Sequence, residues 1–367
     1  MRFIIILLLA LITGHDSFSQ DIAAYGYDRQ NQITFFEAGS EFQLRWKNDS
    51  PIEEGGACVA YTDMGGVHRV FYKGKSTSLK VTEVTNSWNT DNWYVYQVGL
   101  TLKVFDHGAI YRAHSWAENP VIGDSVMAFT NANTGQFLAF YNDEVITLEE
   151  PSSKSVRSVQ AVENVVSYVD AVDNFKVFWR GDVYELTMQN KPLSQFTGRN
   201  TVAYFDQIEN VFRVFYKGEE FDLENLNPEK IAVGDDLVAY TTRLGNFNVF
   251  DRGELVQVLP SIPKKFKVVD ELMAYVFNNE FHVFYKGEDY LIDSGYEPEN
   301  WQMDNDKLVY EDRYKNIVLF DKGKTRVISR LAGTAYSLNR DVITLNSGNG
   351  FVNFWWKGKL HDTFGKY

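Results

Sequence analysis

The chain has a single cysteine, Cys58. No intramolecular disulfide can form, so even in an oxidising compartment stability has to come from packing. Cys58 sits in Ala57-Cys58-Val59-Ala60-Tyr61, an apolar strand pattern that reads as a small buried hydrophobe rather than a reactive thiol. Proline is sparse, 8 in 367 residues, which is not the composition of a linker or a disordered segment. Helical periodicity is missing beyond the first twenty residues. There is no Gly-x-Ser-x-Gly elbow, no phosphate-cradling glycine loop and no cysteine pair, so nucleophilic catalysis has no motif to rest on. The histidines beyond residue 20, His68, His107, His114, His282 and His361, show no paired spacing, and no metal site or cofactor is expected from them. Basic residues are also in the minority, 36 Lys+Arg against 49 Asp+Glu, for a net charge of -13. That field repels phosphodiester backbones and anionic membrane surfaces, so no nucleic-acid partner is expected.

What is present begins with an export signal. Met1-Arg2 carries the positive charge, Phe3 to Ile12 is an unbroken apolar run, and Ser17-Phe18-Ser19 places small residues where a signal peptidase reads. Residues 1–19 are therefore expected to be removed, leaving 20–367 as one repeat domain. The apolar run is too short to span a bilayer, which needs about 20 residues, and no later segment is apolar enough to do so. The expected mature protein is soluble and periplasmic or secreted.

The domain is a repeat, and the repeat decides the architecture. A turn of the form aromatic-(Tyr/Asp/Trp)-basic-Gly recurs in Phe71-Tyr72-Lys73-Gly74, Phe178-Trp179-Arg180-Gly181, Phe215-Tyr216-Lys217-Gly218, Phe250-Asp251-Arg252-Gly253 and Phe284-Tyr285-Lys286-Gly287. Looser copies end at Gly39, Gly108, Asp143, Gly323 and Gly358, and the ten anchors are spaced by 34 to 38 residues. A small residue followed by an aromatic precedes most anchors by 12 to 14 residues, as in Ala60-Tyr61, Ala203-Tyr204, Ala239-Tyr240 and Ala274-Tyr275. One unit reads as four short strands: Phe266–Val269, Leu272–Val276, Glu280–Tyr285 and Asp289–Ile292, the last two joined by Lys286-Gly287, where glycine supplies the positive φ of a tight hairpin.

Four-stranded antiparallel units with hairpin glycines stack radially rather than as a linear solenoid. The expectation is an all-β β-propeller of about ten short four-stranded blades in one ring, with two five-bladed rings as the alternative. The small residues would let blades approach and the aromatics would wedge between them. The first unit lacks an inner strand if cleavage falls at Gln20.

Strings such as Asp236-Leu237-Val238-Ala239-Tyr240 and Phe247-Asn248-Val249-Phe250-Asp251 resemble the second and third strands of TolB-like blades. At the level of the blade the chain is similar to TolB-like and WD-repeat propellers. The Ser-Pro-Asp-Gly turn of the first, the Trp-Asp ending of the second and the Ser-x-Asp-x-Gly-x-Thr-Trp box of sialidases are absent. The resemblance therefore implies a fold and carries over no activity.

Candidate site residues follow from the ring geometry. The middle positions of the inner strands, nearest the channel, are Asn89, Gln160, Thr197, Ala232, Lys267, Gln302 and Ser337, mostly polar and with no carboxylate among them. Lys267, Gln302 and Gln160 are candidate ligand contacts, though such a set also suits a merely water-filled channel. Trp116, in the loop His114-Ser115-Trp116, stands off the repeat register, and an exposed aromatic beside His114 suits stacking on a sugar ring. Asp304-Asn305-Asp306 begins like a calcium loop but lacks the glycine and glutamate that should follow, so it reads as a turn between first and second strands. The hairpin cations Lys73, Arg180, Lys217, Arg252, Lys286, Lys322 and Lys357 would form a basic ring on one face, either for an acidic partner or as solvated tips. The functional expectation is a non-catalytic binding or scaffold protein of the cell envelope that offers a propeller face to a protein or glycan. The rival is a glycan hydrolase or lyase, which would be favoured if carboxylates from loops converged over the channel.

Overall fold

The computed structural model describes residues 22–27, 32–47, 49–56, 58–347 and 352–362; the export signal expected at 1–19 lies outside them. Among the described residues there are ten antiparallel sheets and no helix. Each sheet is a meander of sequential strands, and each corresponds to one sequence repeat. The blades span 22–45, 53–78, 86–114, 117–149, 157–187, 195–224, 230–259, 265–294, 301–329 and 335–362, and are numbered 1 to 10.

The hairpin between third and fourth strands is a two-residue turn in every blade. Both central residues have positive φ, as in Lys217 (51°) and Gly218 (92°), which is the twist-matched geometry for a two-residue hairpin. Blade 4 does without glycine because Asn142 (49°) and Asp143 (62°) fill the two positions, and these side chains tolerate the left-handed region.

Ten apolar clusters hold the sheets together, and each spans one junction between neighbouring blades. From blade 4 to blade 9 the wedge is one motif. A third-strand Phe meets the second-strand Tyr of the next blade, in Phe137–Tyr168, Phe175–Tyr204, Phe212–Tyr240, Phe247–Tyr275 and Phe281–Tyr310, with ring centroids 5.1 to 5.6 Å apart. The small residues before these tyrosines, Ser167, Ala203, Ala239, Ala274 and Val309, are fully buried.

The tenth cluster settles the ring. It joins blade 10 to blade 1 through Val342, Val352 and Phe354 against Ala23 and Phe36. Phe36 stacks on Phe354 at 4.9 Å, and Asn339 Nδ2 donates to the Ile22 carbonyl at 3.0 Å. There is one closed ring of ten blades, and the two-ring alternative falls. Blade 1 has three strands among the described residues. Its Ala38-Gly39 hairpin matches the outer hairpin of the other blades, so the position left open is that of the inner strand. Among the described residues, closure rests on side-chain packing and the Asn339–Ile22 hydrogen bond between two separate sheets.

Candidate functional site

Strand order fixes what each face of the ring carries. In an antiparallel meander the first–second turn and the third–fourth hairpin lie at one end of the sheet. The second–third turn and the link to the next blade lie at the other. Contacts between blades agree. On the hairpin face Lys217 pairs with Asp236 of the next first–second turn at 3.0 Å. On the opposite face the Asn190 amide in a link donates to Asp206 of the next second–third turn at 2.8 Å.

At the hairpin face the channel mouth is ringed by carboxylates. Asp91, Asp124 and Glu163 bring oxygens within 4.8 Å of one another, and Glu163, Asp235 and Asp270 do the same. Backbone proximity forces this crowding. A Cβ on Gly198 would lie 1.9 Å from the Gly234 carbonyl oxygen, and one on Gly234 would lie 2.2 Å from the Asp270 carbonyl oxygen, so successive turns touch main chain to main chain. Two arginines brace the ring: Arg199 reaches Asp235 at 3.5 Å and Glu163 at 4.0 Å, and Arg340 pairs with Asp91. Asp304 accepts the Arg340 amide at 2.7 Å.

Burial and mutual repulsion raise Asp91, Glu163, Asp235 and Asp270. Asp91 is pushed up to about 7 by desolvation and by Asp124, Asp304 and Asp270, against the opposing pull of Arg340. Asp235 reaches about 7 for the same two reasons, with Asp270 its main anionic neighbour. Glu163, buried and hydrogen-bonded to Asp124, is held well above the carboxylate range. Chemically, the mouth offers converging oxygens that suit a hard cation, or else hold protons in its place. The cavity here is about 160 Å³, below the roughly 300 Å³ at which small-molecule pockets begin.

The inner-strand glutamines are engaged in the scaffold. Gln160 Nε2 donates to the Gln195 carbonyl at 3.4 Å; Gln302 Nε2 donates to the Tyr336 carbonyl at 3.0 Å, and its Oε1 accepts the Leu338 amide at 2.7 Å. Both stitch adjacent inner strands, which cannot hydrogen-bond as a sheet across a blade junction. Asn89 does likewise with the carbonyls of Glu53 and Cys58. Lys267 is exposed, and Asp304-Asn305-Asp306 is a turn in which Asn305 and Asp306 take positive φ. The hairpin cations lie back on the side chain before them: Lys73, Arg180, Lys217, Lys286 and Lys357 sit 4.4 to 5.2 Å over the rings of Tyr72, Trp179, Tyr216, Tyr285 and Trp356. Arg252 pairs with Asp251 at 2.8 Å.

The opposite face has a different character. Its second–third turns end in exposed apolar side chains: Met64, Val172, Ile208 (73% exposed), Leu244 (84%) and Tyr314 (77%). The turn beneath each tip is locked. Asp170 Oδ1 accepts the amides of Val172 and Asn174, both at 2.9 Å, Asp206 accepts those of Ile208 and Glu209, and Asp312 those of Tyr314 and Asn316. Burial alone would raise Asp170, but Lys176 and the turn amides hold it below its ordinary value. Links between blades add Met188, Leu193, Leu226 and Leu331 to the same face, along with Trp116, which is half exposed and whose amide donates to His114 Nδ1 at 3.1 Å. His114 is pulled below its ordinary value by burial and stacks near Phe129 at 5.0 Å.

The sequence alone points to inner strands and to Trp116. The acidic first–second turns, as at Asp304-Asn305-Asp306, read there only as turns. The signal was there, since among the described residues seven blades carry a carboxylate between first and second strands, but their convergence appears only when the ring is closed. The apolar tips had a signal too: an Asp or Thr two residues before a large apolar residue, as in Asp206-Gln207-Ile208 and Thr242-Arg243-Leu244.

Comparison with solved structures returns matches at low identity and with TM-scores below 0.5. The computationally designed Ika8 protein is 14% identical, with 74% of this chain and 96% of that chain covered and a TM-score of 0.35. BamB from Moraxella catarrhalis is 12% identical, with 77% and 97% covered and a TM-score of 0.34. Prp20p from Saccharomyces cerevisiae is 8% identical, with 55% and 72% covered and a TM-score of 0.33. These likenesses concern the fold alone. Among curated proteins no relative matches. Residues 17–361 match the family described as 10-bladed beta propeller domain, which agrees with the ten junctions counted above. The chain belongs to the ten-bladed β-propeller family.

Proposed function

We propose that this chain is a non-catalytic binding protein of the cell envelope that docks a protein partner on the face formed by its second–third turns. The observation that carries the reading is the set of rigid apolar tips on that face, Val172, Ile208, Leu244 and Tyr314, each held out to solvent on a side-chain-capped turn. Apolar side chains grouped on one face and fixed before binding suit a protein interface, because little conformational freedom remains to be lost. Three of these four tips, Val172, Ile208 and Leu244, are aliphatic and offer poor platforms for sugar rings, which favours a protein over a glycan at that part of the face. The export signal read in residues 1–19 supports the compartment.

The test is site-specific photocrosslinking in the native envelope. A photoreactive residue at Leu244 or Ile208 is expected to give one discrete adduct, and the same probe at Lys286, on the hairpin face, none. Equal labelling at all three positions, or none at any, would refute the docking face.

A hydrolase has one observation in its favour, the convergence of Asp91, Asp124 and Glu163. Paired carboxylates are what glycoside hydrolysis needs. Against it stand the small cavity and the arginines bound to the same carboxylates. Release of reducing ends from envelope polysaccharides, abolished by Glu163→Gln, would establish that reading; no release from any of them would end it.

A further inference from the structure

One junction carries an arginine where most others carry an apolar side chain. The third residue of the fourth strand is apolar in seven blades: Phe42, Tyr111, Ile146, Tyr184, Phe221, Val256 and Tyr290. In four of these it reaches across to the hairpin glycine of the next blade. The points where a Cβ would stand on Gly74, Gly218, Gly253 and Gly323 lie 3.2, 3.3, 3.9 and 3.0 Å from Phe42, Tyr184, Phe221 and Tyr290. Blade 9 has Arg326 there instead, and its Nη1 lies 3.3 Å from the corresponding point on Gly358. A guanidinium thus stands where a ring closes other junctions, 5.8 Å over Trp355.

The result is a groove of about 460 Å³ between blades 9 and 10. Its floor is apolar, made by Leu319, Ile343 and Trp355, and its rim carries Lys322, Lys324 and Arg326. The two carboxylates that reach the groove, Asp321 and Asp341, are both within ion-pair distance of Lys307. Among the described residues no carboxylate comes within ion-pair distance of Lys322, Lys324 or Arg326. A concentration of uncompensated cations on a chain of net charge -13 is a local reversal of its field. The volume falls within the roughly 300–1,000 Å³ of small-ligand sites. A flat apolar floor under a cationic rim matches a ring that is apolar on its face and anionic at its edge. A planar guanidinium adds fork-like recognition of a carboxylate or sulfate.

We propose that the groove between blades 9 and 10 binds an acidic saccharide, its sugar ring on Trp355 and its carboxylate or sulfate held by Arg326, Lys322 and Lys324. This site lies on the hairpin face, away from the apolar tips, and is independent of the protein-docking reading.

Titration calorimetry on the full chain tests it with four probes: tetragalacturonate, a sulfated heparin tetrasaccharide, neutral maltotetraose and inorganic sulfate. The expected result is binding of at least one acidic tetrasaccharide, weakened by added salt, with both maltotetraose and sulfate at least tenfold weaker. Which acidic probe binds separates carboxylate from sulfate recognition. Arg326→Tyr, which restores the side chain of blade 8, is expected to lower affinity at least tenfold without lowering the melting temperature. Lys322→Gln with Lys324→Gln is expected to lower it also, and Lys73→Gln, on a distant hairpin, to leave it unchanged. Unchanged affinity in Arg326→Tyr, equal binding of maltotetraose, or no binding of either acidic probe overturns the proposal. Crosslinking at Leu244 is unaffected by any of these outcomes.

Discussion

Asp235 makes the stability of the ring depend on pH in a direction opposite to that of an ordinary salt-bridged acid. Its carboxyl is held at about 7 in the folded ring, chiefly by burial and by Asp270, whereas an unfolded aspartate titrates near 3.9. Between those values the folded state keeps a proton that the unfolded state has released. Stability therefore falls as pH rises through this window. From pH 5 to pH 8 the span above pH 5 is about two pH units, worth about 3 kcal/mol at about 1.4 kcal/mol per unit. With an unfolding entropy of about 2.1 cal/mol/K per residue over roughly 350 residues, that amounts to roughly 4 °C in melting temperature. Asp235→Asn removes the titration while keeping the shape. Melting curves by circular dichroism of parent and variant at pH 5, 6, 7 and 8 give the double difference, in which titrating groups away from the channel mouth cancel. The parent is expected to lose about 3 kcal/mol more than the variant over this range. Parallel pH dependence in the two proteins would refute the claim that crowding at the channel mouth keeps Asp235 protonated.

Two further substitutions probe the ring itself. Phe354→Ala removes the side chain that stacks on Phe36 at the closing junction and is expected to cost about 3–5 kcal/mol; faster limited proteolysis within blades 1 and 10 than within blade 6 would show that the ring opens there. Gly198→Ala drives a methyl into the Gly234 carbonyl, and a stability loss beyond the ~1 kcal/mol of an ordinary glycine replacement, read by urea titration, is expected; a neutral result would mean the turns at the mouth can move apart.

The architecture was legible because it is local and repeated. Hairpin glycines such as Gly218 and Gly253, and pairs such as Ala239-Tyr240, state their roles within a few residues, and a ring of ten copies needs little else. The wedging of Tyr240 by Phe212 followed from the same pattern. Ring number was less visible, because closure depends on Phe36 meeting Phe354 across more than 300 residues. The candidate sites were harder still. Gln160 and Gln302 occupy channel-facing positions in sequence register, yet their amides satisfy backbone groups left open where inner strands of adjacent blades meet. Asp91, Asp124, Glu163 and Asp235 each look like common turn acids, and become a cluster only through ring geometry. Arg326 is a basic residue in a column that is apolar in seven blades, but its consequence depends on Gly358 and Trp355 of the following blade.

Because the turns of blades 6, 7 and 8 meet backbone to backbone at Gly198 and Gly234, the main chain rather than the side chains sets the bore of the ring along that arc. Such an aperture keeps its gauge while its lining is exchanged. Replacing acids with amides, or arginines with neutral residues, would recolour the opening without widening it, so charge and diameter at this end of the molecule can vary independently.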